Sequence, residues 1–165
     1  MKDQTASKSI FFHWSTLGFF LTALVTICFV ALHATPYMLA ATISYSFLVL
    51  GLLLRQNIKA HPWFMLSAII LDLGLVLTLE FQRSAIKTAA SFTLSPLQQA
   101  HIGTSTLATA LYIPVLYLGF RRWRGSLADP ASKMWHIRLG IAAFIFRTAG
   151  FLLMFTLLSY VTKTS

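Results

Sequence analysis

Five histidines are spread through the 165 residues, and each lies beside the end of a long apolar run. His13, His61 and His136 fall at one set of ends; His33 and His101 fall at the other, where Glu80 also lies. Imidazole is the commonest metal ligand and a standard axial ligand of haem. The first group has the make-up of a three-histidine metal site, or of two axial ligands to a b-type haem. The second group, His33, Glu80 and His101, has the composition of a His/carboxylate metal site. Plainer roles compete with these. Histidine is a good helix-interface residue, His61 precedes Pro62 and would serve as a cap, and His33 sits in a turn. His61, His101 and His136 therefore rank first as candidate ligands, Glu80 and His13 next, and His33 last. Their spacing matches no zinc or copper fingerprint.

Two charged residues lie inside apolar runs, Asp72 and Arg147. A charge at the centre of a bilayer costs about 2.5–3.5 kcal/mol on the more conservative scales, so it persists where it is paired or functional. His61 and Asp72 are 11 residues apart, and so are His136 and Arg147. Eleven residues is about three helical turns, so each pair shares a face, about 16 Å apart along its axis. Two parallel helices facing each other would bring Asp72 to Arg147 at mid-depth and His61 near His136 at the boundary. Met65 and Ala68 continue one stripe; Ala143, Gly150 and Met154 continue the other, with small residues that permit close approach. A buried ion pair that fixes helix register takes precedence over a proton relay. The functional alternative has Arg147 binding a haem propionate or another anion.

The elements that must position these residues are apolar helices. The chain is 57% hydrophobic and 10% charged, against about 45–50% and about 25% in ordinary soluble domains. With a mean hydropathy of +0.74, this excludes disorder, fibres and a soluble globule. A hydrocarbon core about 30 Å thick needs roughly 20 apolar residues as a helix. Five runs qualify, at about 10–32, 37–54, 62–79, 96–120 and 134–161, so the expected architecture is a single all-α membrane domain over 1–165, a five-helix transmembrane bundle. The first run is too long for a signal-peptide core and has no Ala-x-Ala site after it, so it reads as a retained helix. Pro62, Pro96 and Pro130 each suit a first helical position. Ser95 and Asp129 suit N-caps, with Gln98 completing a capping box. Pro114 should kink the fourth span. The 85–92 stretch, Ala-Ile-Lys-Thr-Ala-Ala-Ser-Phe, reads as a short interfacial helix.

The 13 Lys and Arg outnumber the 4 Asp and Glu. Nine of the basic residues (Lys2, Lys8, Arg55, Lys59, Arg121, Arg122, Arg124, Lys133, Arg138) lie on the N-terminal side, and three (Arg83, Lys87, Lys163) on the other. The positive-inside rule then places the N-terminus in the cytoplasm and the C-terminus outside. The basic excess reads as topology and contact with anionic lipid headgroups rather than nucleic-acid binding. Trp14, Trp63, Trp123 and Trp135 fall near the inner boundary, as an aromatic belt. The one cysteine, Cys28, permits no intrachain disulfide, and no Cys-x-x-Cys supports thiol redox chemistry or c-type haem attachment. Phosphate-binding, zinc-protease and serine-hydrolase motifs are lacking.

Several stretches resemble the CtaM-like membrane family, small proteins linked to haem–copper oxidase assembly. They are His61-Pro-Trp-Phe-Met65-Leu-Ser-Ala68, then Gln99-Ala-His101 opening a span that continues to Leu107-Ala108. Trp135-His136-Ile-Arg138-Leu-Gly and Thr148-Ala-Gly150 follow. Together they lie in a region covering somewhat over half the chain. The family pattern carries a further histidine near the end of its first matched helix, where this chain offers Glu80, so a histidine-only ligand set is in doubt while a metal site is not. The resemblance implies a haem- or copper-related role near a terminal oxidase in the bacterial inner membrane.

Three functional readings follow. The first is a membrane protein that holds haem, copper or iron through histidines and serves respiratory-oxidase assembly or function, without being an enzyme by itself. The second is a di-haem b-type electron carrier using His61 with His136 and His101 with His33. The third is a non-catalytic subunit of a respiratory complex, with interfacial histidines and a structural Asp72–Arg147 pair.

Overall fold

A computed structural model describes residues 18–30, 35–83, 87, 91, 94–125 and 129–164, with residues 83 and 158–164 described by backbone alone. Among the described residues there are helices and no strand. The helices are α1 (Gly18–Val30), α2 (Pro36–Leu53), α3 (Ala60–Arg83), α4 (Pro96–Trp123) and α5 (Pro130–Thr164). Four of them, α2 to α5, are long and apolar enough to cross a membrane; α1 is shorter over its described residues. The remainder of the first expected span, 10–17 and 31–32, lies outside the described residues.

The helix starts follow from side-chain capping. Thr35 caps α2, its Oγ1 accepting from the Met38 N–H at 3.4 Å, with Pro36 at the first position. Ser95 and Gln98 form the expected capping box on α4, ahead of Pro96. Asp129 caps α5 by accepting from the Ser132 N–H at 2.7 Å, so the helix begins at Pro130, four residues before the expected start of the span. Pro62 is a correction. The third helix begins at Ala60, because the Asn57 side chain accepts from the N–H groups of Lys59 and Ala60, both at 3.1 Å. Pro62 is thus the third residue of α3, still in the first turn, where a missing N–H costs no intrahelical bond. Pro114 lies within α4, which runs through it; the Ala110 carbonyl there loses its intrahelical donor. The 85–92 stretch is largely outside the described residues, and Ser91 N–H donates to the Lys87 carbonyl at 3.1 Å, a helical spacing.

The chain divides into two compact units within α3, residues 1–68 and 69–165. In the first unit α2 and the start of α3 pack antiparallel. Ser44 Oγ donates to the Ala68 carbonyl at 2.9 Å, Phe47 meets Phe64 edge-on at 6.0 Å, and Gly51 lies against Met65. In the second unit α4 and α5 are antiparallel, since His101 meets Gly150 while Gly119 meets His136. The remainder of α3 joins them through a core of Ile69, Tyr112 and Ala143, with Leu111 and Leu116 packed against it.

Candidate functional site: a buried ion pair and three histidine seats

Asp72 and Arg147 meet in a bidentate pair at the centre of the second unit. Arg147 Nε donates to Asp72 Oδ2 and Arg147 Nη2 to Oδ1, both at 2.6 Å. Both residues are buried. Tyr112 closes the group by donating its hydroxyl to Asp72 Oδ2 at 2.7 Å. Three charge-assisted hydrogen bonds thus fall on one carboxylate, an arrangement in which the planar guanidinium matches the carboxylate fork. With Arg147 taken up by Asp72 in this way, a structural pair accounts for its position better than propionate binding does. The sequence reading missed Tyr112. Its signal was a tyrosine at the middle of an apolar helix, where a buried hydroxyl needs a partner.

Each of the three described histidines is seated against a glycine of the antiparallel neighbouring helix. His61 on α3 places Nδ1 2.8 Å from the Gly51 carbonyl of α2. His101 on α4 places Nδ1 2.8 Å from the Gly150 carbonyl of α5. His136 on α5 lies against Gly119 of α4, where an added Cβ would come within 3.0 Å of the imidazole Cε1. Gly150 is as tightly held: a Cβ there would meet Ser105 Oγ at 2.7 Å. Without the glycines the helices could not approach closely enough for the rings to reach across.

The two carbonyl contacts fix chemistry as well as position. A carbonyl oxygen only accepts, so Nδ1 of His61 and of His101 carries the proton. In the neutral ring Nε2 then bears the lone pair. Metal-bound histidines are commonly held this way, with the second ring nitrogen donating to a backbone carbonyl or a carboxylate. Both rings are half-buried, and among the described residues neither Nε2 makes a hydrogen bond. The donor set and its tautomer therefore suit a haem iron or a copper or iron ion.

Each of the two larger groupings expected from the sequence includes a histidine that lies outside the described residues. No three His, Cys, Asp or Glu side chains there come together as a metal site. His13 and His33 lie outside the described residues, and His61 and His136 belong to different units. Glu80 is half-buried near the end of α3. Within the second unit, Gly150, at the level of His101, is 14 residues along α5 from His136, about 21 Å, so these two histidines cannot share one centre.

No family model, no curated protein and no solved structure matches the chain.

Proposed function

We propose that the chain is an integral membrane bundle in which His61 and His101 each offer Nε2 to a haem iron or to a copper or iron ion. The observation that carries the reading is the pair of Nδ1–H···O=C bonds to Gly51 and Gly150, which orient each ring and settle its tautomer. The bilayer is supported by four helices of spanning length whose large apolar side chains face outward, such as Ile113 at 73% and Ile145 at 58% exposure. Surface of that kind is at home among acyl chains. Counting the first apolar run as a fifth crossing, the nine-to-three distribution of basic residues supports a cytoplasmic N-terminus and an external C-terminus. When bound, a haem or copper centre supplies one-electron chemistry; the residues of this chain hold the rings and shield them from water. The resemblance to the CtaM-like family directs the role toward assembly or function of a haem–copper oxidase in the bacterial inner membrane, with a terminal oxidase as partner.

A second reading, a non-catalytic subunit of a membrane complex, is favoured by the closed Asp72–Tyr112–Arg147 group. In it the same histidine contacts act only as struts between helices. A visible absorption spectrum of the purified protein, with metal analysis, separates the two. Soret and α bands, or stoichiometric copper or iron without them, support the ligand reading. The lack of both supports the subunit.

A further inference from the structure

The Gly51 seat of His61 holds a second donor atom. Met65 stands one turn further along α3, on the same face as His61, and its side chain packs against the same glycine of α2. A Cβ on Gly51 would come within 2.8 Å of Met65 Sδ, 3.1 Å of its Cγ and 3.3 Å of its backbone nitrogen. His61 Nδ1 lies 2.8 Å from the carbonyl oxygen of that glycine. All of these contacts fall within the first compact unit.

One glycine thus gathers an imidazole and a thioether. Residues four apart on a helix have Cβ atoms about 5–6 Å apart. Helical side chains lean toward the helix N-terminus, which carries Met65 back over the turn of His61. Both side chains are half-buried. Nδ1 of His61 is spent on the carbonyl, so Nε2 carries the lone pair of the ring. The thioether sulfur of Met65 is likewise an acceptor with no proton to give. With three rotatable bonds, a methionine moves its sulfur toward a neighbouring donor at little cost. A side chain at position 51 would take the space that the sulfur occupies.

The two donors select among the ions named above. Imidazole serves zinc, copper, iron and nickel alike, whereas a thioether is soft and favours Cu(I). A haem takes its axial ligands on opposite faces of the macrocycle, which two side chains a turn apart on one helix face do not offer. We propose that His61 Nε2 and Met65 Sδ form a two-donor site for Cu(I). The inference rests on the reading of His61 as a ligand and narrows that reading to one ion.

The test uses the full chain in detergent micelles, with selenomethionine in place of methionine, titrated anaerobically with Cu(I) against bicinchoninate. X-ray absorption then identifies the neighbours of the bound copper. One Cu(I) per chain is expected, with nitrogen and selenium both as direct neighbours. Selenium distinguishes a methionine donor from Cys28, which keeps its sulfur. Met65→Leu, a swap of similar volume, should remove the selenium. It should also weaken Cu(I) binding at least about tenfold, the lower end of what even a partner that only orients a ligand contributes. His61→Ala should remove the nitrogen neighbour and cost at least as much. Met65→His should restore a two-donor site and turn its preference toward Cu(II). Met134→Leu, at an exposed position of α5, should leave binding unchanged.

Copper held by nitrogen alone, with Met65→Leu without effect, overturns the pair and leaves His61 a ligand. Selenium retained beside copper in Met65→Leu overturns it as well, by placing the ion at another methionine. A chain that takes up no Cu(I) also overturns it, and its haem and iron content then separates the two failures. Bound haem or iron keeps the ligand reading; neither leaves His61 a strut.

Discussion

Two polar regions lie a single turn apart on α5, and they are built to opposite rules. At Arg147 the polar groups answer one another: guanidinium, carboxylate and tyrosine hydroxyl close on themselves through three hydrogen bonds. At Gly150 the backbone answers a side chain, and it answers one nitrogen of the His101 ring only. A closed group fixes how helices sit. A ring held by one nitrogen is oriented and keeps a lone pair for something else. The difference separates the residues that hold this fold together from the residues with chemistry left over.

The largest effect should come from opening the closed region. Removing Asp72 or Arg147 alone strands a buried charge, and the expected loss is about 3–5 kcal/mol. Replacing both with apolar residues of similar volume should be milder than either single change. A double-mutant cycle on unfolding in mild detergent checks this, because contacting residues couple and independent ones add. Tyr112→Phe removes one hydrogen bond to a charged group and should lose about 1.5–3 kcal/mol. If Tyr112→Phe were neutral, the group would be a simple ion pair and the contrast with His101 would weaken.

A smaller loss is expected at the glycine seat. Gly150→Ala would place a Cβ 2.7 Å from Ser105 Oγ and 3.3 Å from Thr104 Oγ1. Overpacking of this kind costs about 1–3 kcal/mol and should lift the His101 ring from its carbonyl. Adding Ser105→Ala removes the closest contact, so the double variant should recover most of the loss in thermal unfolding. No recovery would mean that the seat is set by something other than helix approach.

The smallest effect belongs to the exposed start of α5. The N–H and hydroxyl of Ser132 hold the Asp129 carboxyl below its ordinary value, the backbone bond contributing most. A carboxyl depressed in the folded state stabilises above its unfolded pKa, about 3.9, and that contribution is lost as pH falls through the folded value. Amide exchange in the first turn of α5 should therefore quicken below about pH 4. Asp129→Asn, a cap without a charge, should lose that pH dependence while keeping the turn.

The sequence made some of this legible and hid the rest for physical reasons. Spans appear in composition, so α2 to α5 were readable, and caps announce themselves locally, as at Ser95 and Asp129. The Asp72–Arg147 pair was readable because a charge inside an apolar run needs an opposite one, and the shared spacing of 11 residues put the two at equal depth. Tyr112 and the glycine seats were harder. Periodicity states which residues share a face of one helix, but not which helix that face meets. The histidine groupings show the same limit: the chain encodes the depth of His101 and His136, while partners depend on rotation about each helix axis. Asn57 was overlooked beside the more conspicuous Pro62.

His61 and His101 are proposed as ligands rather than struts. The most direct measurement is the bound haem or metal content and visible spectrum of His61→Ala, His101→Ala and His136→Ala, each purified beside the wild type and checked for fold by size-exclusion chromatography. If the rings are ligands, the wild type carries a haem, copper or iron centre, and His61→Ala and His101→Ala each lose bound species or shift the spectrum. His136→Ala should not remove the species lost with His101, since about 21 Å of helix separates their levels. A wild type without haem or stoichiometric metal, or histidine variants that leave the spectrum and metal content unchanged, would contradict the proposal and leave the histidines as struts.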